Sequence, residues 1–205
     1  MRRLAAALWC LAGVATAEPV TYVFDPDHTF VQFEVRHFGT STLRGRFGPL
    51  RGAVTLDRAA GRGELGLRVA TAGVDTGLPV LDARLRQPDM LACNTYPEAF
   101  FVARQFRFEG ERLAELRGEF TLRGIGEGLT LKALHYACRQ EGDTEVCGGD
   151  FEGRFKRGDF GISFGLPLVA DEVRLLVQVE GVRQPQLAAM APNTPVLSSA
   201  PPAAK

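Results

Sequence analysis

The sequence lacks an excess of charge of either sign, because 24 lysines and arginines balance 24 aspartates and glutamates among its 205 residues. Nucleic acids and anionic membrane surfaces select basic proteins, so nucleic acid is not an expected partner. The sequence also lacks an internal repeat of roughly 20 to 50 residues, which argues against a solenoid or a propeller. These absences favour one globular domain.

Histidine is scarce, and only His28, His37 and His135 are present. His28 and His37 are nine residues apart, so in an unbroken strand they point to opposite faces and cannot share a metal ion without a bulge. No matching cysteine or glutamate spacing completes a structural zinc site. We therefore predict no metal site.

A long apolar run is missing as well. The run from Leu4 to Val14 falls well short of the roughly 20 apolar residues that cross a bilayer. It follows Arg2 and Arg3 and precedes Ala15-Thr16-Ala17, which has the small-x-small pattern of a cleavage site. We therefore predict that residues 1–17 are a cleaved secretory signal peptide and that the mature chain enters an oxidising compartment.

The opposite end of the chain has little charge and no periodicity. From Gln184 onward proline, alanine and serine dominate, a composition that cannot bury enough apolar surface to become ordered. Residues 184–205 are therefore predicted to be a disordered tail. Residues 18–183 remain as the folded domain.

Apolar and polar residues alternate in two segments near the ends of that domain. One contains Val31, Phe33 and Val35, and the other runs from Val173 to Val179. A period of two indicates strands with one face in water and one in a shared interior. With the glycine, proline and aspartate clusters as boundaries, the predicted strands are 20–24, 29–38, 50–57, 64–71, 98–108, 113–123, 128–138, 145–156 and 172–182.

Only Val80 to Cys93 suits a short helix, which Pro88 would stop or kink. One short helix beside eight or nine predicted strands favours an all-β sandwich or barrel. Because the first and last regular segments share the same alternation, the simplest arrangement is one antiparallel sheet whose ends meet. We predict an all-β fold, an antiparallel barrel of eight or slightly more strands with one short helical insertion.

Three cysteines remain after the signal peptide is removed, and two of them are predicted to pair. Cys138 and Cys147 flank the turn-rich residues 140–143 between two predicted strands, and facing positions near a hairpin turn are close enough to form a disulfide. Cys93 is left over. A buried unpaired thiol is the favoured interpretation of Cys93, and a reactive or intermolecular thiol is the alternative.

Two apparent catalytic motifs fail on their context. Gly161 to Gly165 matches G-x-S-x-G, but neither a parallel sheet nor a following helix is predicted there. Gly61 to Gly66 matches the dinucleotide fingerprint, but the residues after it read as a strand. His135 shares parity with Leu131 and is predicted to face the interior, as a hydrogen-bonded histidine rather than a catalytic base. We therefore predict no catalytic residue.

The interior is predicted to be rich in phenylalanine, since the chain has 14 phenylalanines against one tryptophan and three tyrosines. A barrel of about eight strands is at the size where side chains either fill the interior or surround one small ligand. Both a filled core and a hollow barrel are compatible with this composition.

Short motifs along residues 22–182 add a resemblance to a known family. They are Tyr22-x-x-Asp25-x-x-His28-Thr29-x-Val31-x-Phe33-x-Val35-x-His37, Gly45-x-Phe47, Gly52, Val74-Asp75-Thr76-Gly77, Asp82-x-x-Leu85, Tyr96-Pro97, Gly118-x-Phe120-Thr121-Leu122-x-Gly124, Arg157-x-Asp159-Phe160-Gly161 and Asp171-Glu172-Val173. In this order they resemble the YceI-like family of exported, lipocalin-like, polyisoprenoid-binding proteins. Three places depart from the family pattern: Arg84 stands where a histidine is usual, and residues 90–92 and 126–128 also differ.

The resemblance implies a lipocalin-like barrel that holds a polyisoprenoid, such as a quinone tail or a polyprenyl chain, in an apolar channel. It implies a non-catalytic periplasmic carrier or store with a lipid ligand and no other cofactor. Candidate polar groups at the mouth are His37, His135 and Arg84. The predicted ligand-binding residues are Val31, Phe33, Val35, Phe47, Phe101, Phe120, Leu122, Leu131, His135, Phe151 and Phe155.

Two other functions stay open at this point. The first is an enzyme that acts on an isoprenoid or an oxidised quinone, with His135 or Cys93 as the polar actor. The second is an interaction module with a filled core that docks to a membrane redox partner. A homodimer is compatible with each.

Overall fold

The computed structural model describes residues 18–110 and 112–185, and over them it contains eleven β-strands and one α-helix. The elements are β1 (Val20–Phe24), β2 (Phe30–His37), β3 (Ser41–Phe47), β4 (Arg51–Asp57), β5 (Arg62–Ala70), β6 (Val74–Asp75), α1 (Pro79–Leu85), β7 (Glu98–Glu109), β8 (Arg112–Leu122), β9 (Ile125–Glu141), β10 (Thr144–Lys156) and β11 (Val169–Arg183). The predicted signal peptide at 1–17 and most of the predicted tail lie outside the described residues.

The sheet closes through β1, which pairs with β4 on one side and with β11 on the other. The closed ring runs β1, β4, β5, β7, β8, β9, β10 and β11, and every pairing in it is antiparallel. β2 also pairs with β11, and β3 and β6 continue the wall beyond β2. The predicted eight-stranded antiparallel barrel is confirmed.

The two alternating segments recognised in the sequence pair directly with each other. Their register is Val31–Val177, Phe33–Leu175 and Val35–Val173. All six side chains are at most 9% exposed, whereas Gln32 and Arg36 between them are exposed. Burial of one face of both strands is the physical cause of the alternation.

Two strands were not predicted, and the helix is shorter than expected. β3 has the sequence STLRGRF, in which arginine and glycine interrupt the apolar alternation, and β6 has only two residues. The helix predicted over 80–93 ends at Leu85, before Pro88. Residues 86–96 then form turns, in which Ala92 adopts a left-handed φ of 51°. Met90 and Leu91 of this segment line the interior of the barrel.

The two rejected catalytic motifs lie where the sequence placed them. Gly61, with a φ of 63°, forms the turn between β4 and β5, and Gly66 lies within β5. Residues 161–165 follow a short 3-10 helix (Arg157–Phe160) and belong to the connection from β10 to β11. Neither motif precedes the helix that its chemistry needs.

The predicted disulfide between Cys138 and Cys147 is confirmed, with an S–S distance of 2.11 Å. The two cysteines face each other across β9 and β10. Cys93 is unpaired and buried, in agreement with the favoured interpretation.

Candidate functional site

The barrel is hollow. A cavity of about 270 Å³ opens at the end where α1 and the connection from β10 to β11 lie. We call it the main chamber. Its wall includes most of the predicted ligand-binding residues, namely Val31, Phe33, Val35, Phe47, Phe101, Phe120, Leu122, Leu131 and Phe155. The choice between a filled and a hollow interior, which composition left open, is therefore decided in favour of a hollow one.

A second, smaller cavity of about 50 Å³ lies deeper in the barrel. We call it the inner chamber. Phe151 lines this chamber rather than the main one. Four apolar residues line both chambers: Leu67, Phe101, Leu131 and Val177. These side chains lie between the two apolar spaces.

The prediction that His135 faces the interior is wrong, because its side chain is exposed. The pairing of β9 with β10 shifts register here: Asp150 faces His135 and the next residue, Phe151, faces Ala133. This β-bulge inserts Leu134 and reverses the inside and outside positions that follow. Tyr136 therefore lines the inner chamber and His135 lies outside both chambers.

Several lining residues were missed by sequence reasoning because they lie outside the strands. Leu81, Leu85 and Leu91 come from α1 and the turns after it, while Ile162 and Phe164 come from the connection before β11. The helical spacing of Leu81 and Leu85 is the signal that could have identified them, since residues four apart share one helix face.

The mouth of the main chamber is bordered by a stacked arginine. The Arg84 guanidinium donates to both carboxylate oxygens of Asp89, at 2.7 and 2.5 Å, and lies 4.2 Å from the centre of the Phe164 ring. The hydrogen bonds from Arg84 lower the pKa of Asp89, so the pair stays ionised. Arg84 thereby connects α1 to the connection before β11. His37, also predicted for the mouth, lines the same chamber.

Arg157 holds the connection before β11 from within. Its side chain is 5% exposed and donates hydrogen bonds of 2.8 to 3.1 Å to the carbonyls of Ala170, Ile162, Phe164 and Val169. Burial lowers the pKa of this guanidinium. Since its donors are occupied by backbone oxygens, Arg157 acts as a structural group and is not available to a ligand head group.

The opposite end of the barrel is closed by polar groups. The Tyr22 hydroxyl, which belongs to the inner chamber, donates to Glu145 at 2.7 Å and accepts from Arg58 at 3.0 Å. Burial, and then the hydrogen bond to Glu145, raise the pKa of Tyr22 to about 12. The phenol therefore stays neutral at the closed end.

Chemically, the chambers offer apolar surface and few polar groups. The polar side chains that line the main chamber are His37, Thr71, Arg84 and Arg157, and Thr71 donates to the Tyr96 carbonyl at 2.8 Å. Neither His135 nor Cys93 borders a chamber. Among the described residues, no helix is long and apolar enough to cross a membrane.

Comparison with known proteins agrees with this geometry. Residues 22–181 match the model of the YceI-like domain. Protein YceI of Shigella flexneri and Protein YceI of Escherichia coli O157:H7 are each 32% identical to the chain over 184 residues, which cover 87% of this chain and 94% of theirs.

Three solved structures share the fold. Burkholderia cenocepacia BcnA has a TM-score of 0.61 at 23% identity and covers 74% of this chain and 95% of its own. The Campylobacter jejuni YCEI protein has a TM-score of 0.63 at 22% identity, with 73% and 90% covered. A polyisoprenoid binding domain from Saccharophagus degradans has a TM-score of 0.56 at 18% identity, with 80% and 98% covered. The family model and the relatives at 32% identity together show that the chain belongs to the YceI-like domain family.

Proposed function

We propose that this protein binds a polyisoprenoid or a similar long-chain lipid in its barrel and carries or stores it in the periplasm without chemical change. The observation that carries the proposal is the main chamber, an apolar cavity of about 270 Å³ inside the barrel. The name of the Saccharophagus degradans domain supports the same ligand class.

The energetics of burial suit such a ligand. Each isoprene unit that leaves water contributes up to about 4 kcal/mol, at about 0.8 kcal/mol for each buried carbon. Ordering of the flexible lipid and loss of its free translation offset much of this gain. Because the wall is apolar along its length, selectivity is left to the length of the cavity and to the mouth, where His37 lines the chamber.

A non-catalytic role fits the side chains at hand. An enzyme acting on the lipid needs a polar group beside the reacting atoms. The two candidates named from the sequence, His135 and Cys93, do not border either chamber. Among the polar side chains that do line the main chamber, Arg84 and Arg157 are engaged by Asp89 and by backbone carbonyls, and His37 lies at the mouth. Docking to a membrane redox partner and a homodimer stay predictions.

Extraction of the protein tests the proposal. The full chain is expressed in a bacterium, purified from the periplasmic fraction without detergent, and extracted with organic solvent for mass spectrometry. We expect a polyprenyl or quinone-type lipid in near-stoichiometric amount, and a mature protein that begins at Glu18. A lipid-free protein that also fails to take up labelled geranylgeraniol would refute the carrier function.

A further inference from the structure

The closed end of the barrel holds a cluster that lipid binding does not explain. Nη2 of Arg58 lies 3.1 Å from Sγ of Cys138 and 2.9 Å from Sγ of Cys147. The hydroxyl of Tyr136 lies 3.6 Å from Sγ of Cys138. The Arg58 guanidinium therefore donates to both sulfurs of one disulfide, and the Tyr136 hydroxyl contacts one of them.

This donor set suits thiolates better than it suits a disulfide. A disulfide sulfur is neutral and a weak acceptor, whereas a thiolate beside a guanidinium gains a charge-assisted hydrogen bond. Glu145 lies within 4.8 Å of both sulfurs, and its carboxylate is 3.3 Å from Arg58 and 3.6 Å from Arg183. Two guanidinium groups and one carboxylate leave one positive charge.

The two sulfurs differ in access. Cys138 is exposed, whereas Cys147 is 7% exposed and lines the inner chamber. An incoming thiolate can therefore reach Cys138. The sulfur that would be released is Cys147, which lies at the shorter distance from Arg58.

The hairpin does not depend on this bond for its geometry. Its strands, β9 and β10, have 17 and 13 residues and pair on both sides of the disulfide. The bond spans a sequence separation of only nine, and a disulfide that closes so short a loop restricts the unfolded chain less than one that closes a long loop.

From this arrangement we propose that Cys138–Cys147 is an exchange-active disulfide whose co-reactant is an external dithiol. A thiolate of the dithiol attacks Sγ of Cys138, the bond between the two cysteines breaks, and the electron pair leaves on Sγ of Cys147 beside Arg58. The second thiolate of the dithiol then attacks the dithiol sulfur that is bonded to Cys138, and Cys138 is released as a thiolate. The dithiol is oxidised to a disulfide, the protein gains two electrons, and the two protons of the dithiol pass to the protein thiols or to solvent.

The first test uses the unmodified protein. It is incubated with reduced glutathione at pH 7.5, quenched with acid, and digested so that mass spectrometry locates the mixed disulfide. We expect the glutathione adduct on Cys138. An adduct mainly on Cys147, or no adduct and no reduction, would overturn the proposal.

The second test separates the electrostatic role of Arg58 from its packing. Reduction by dithiothreitol is timed for the wild type, for Arg58→Met and Arg58→Lys, and for Arg62→Met as a control. Arg62 lies, like Arg58, in the hairpin of β4 and β5. It pairs with Asp57 and is mostly exposed.

We expect Arg58→Met to slow reduction about tenfold and to raise the pH at which the reduced Cys147 reacts with iodoacetamide, because the leaving thiolate loses its partner. Arg58→Lys should recover part of the rate, and Arg62→Met should match the wild type. An unchanged or faster reduction of Arg58→Met would mean that Arg58 only packs against the disulfide, and either result would contradict the proposal.

Discussion

At the scale of single residues, the wall of the main chamber is set by where β2 directs its side chains. Val35 lines the chamber and is 7% exposed, so a larger side chain at this position extends into empty space. Overpacking a filled core costs about 1 to 3 kcal/mol. A hollow barrel avoids most of that cost.

We therefore predict that Val35→Trp changes the free energy of unfolding by less than about 1 kcal/mol. Val102→Trp is the matched control, because Val102 lies on β7 with 37% of its surface exposed. Urea unfolding monitored by circular dichroism measures both. A loss well above that of the control would indicate a filled interior.

A second residue-scale prediction concerns the exposed pair of His28 and Asp25, whose Nδ1 and Oδ2 atoms are 2.7 Å apart. The hydrogen bond and charge of Asp25 raise the pKa of His28. A raised pKa means that the pair stabilises the fold below the ordinary histidine pKa of about 6.5, and that this contribution is lost as pH rises through the folded value.

NMR titration of the ring protons should give a higher pKa for His28 in the wild type than in Asp25→Asn. Equal values in the two proteins would show that the pair does not form in solution.

At the scale of elements, the contact between β4 and β5 depends on a glycine. A side chain at Gly52 would collide with the carbonyl oxygen of Gly66, whereas a side chain at Gly66 meets nothing within 4 Å. The two residues lie on neighbouring strands, Gly52 on β4 and Gly66 on β5.

Gly52→Ala is therefore expected to destabilise the protein by about 1 to 3 kcal/mol, as an overpacked site does. Gly66→Ala should cost less than about 1 kcal/mol. Thermal unfolding of the two variants gives the comparison. Equal melting temperatures would mean that β4 and β5 are spaced more widely than the structure shows.

The elements also show how far sequence reasoning reaches. The strands with apolar alternation were predicted to within a few residues, since burial of one face imprints a period of two. β3 was missed because Gly45 and the arginines around it make no such pattern; an added side chain at Gly45 would meet the Phe33 ring.

His135 was misplaced for a related reason. A β-bulge leaves no clear mark in composition, and one inserted residue reverses the face of every residue after it until the next irregularity. Prediction of the cavity wall was accordingly best in regular strands and failed beyond the bulge and in the turns after α1.

At the scale of the whole molecule, closure of the sheet by β1 creates an apolar interior with His37 and Arg84 at its mouth and a polar network at its far end. The mouth segments also carry exposed apolar side chains, including Phe38, Leu78, Val80 and Phe164. The far end carries Tyr22, Glu145 and the disulfide. A lipid thus meets an entrance with exposed apolar side chains around it and a polar end wall.

Equilibrium binding of labelled geranylgeraniol to three proteins tests the central claim most directly. The wild type and Val102→Trp should each bind one equivalent with the same affinity. Val35→Trp should lose at least about tenfold in affinity, or about 1.4 kcal/mol, because the indole occupies the space of the lipid. Equal binding by all three proteins, or binding by none of them, would contradict a lipid site inside the barrel.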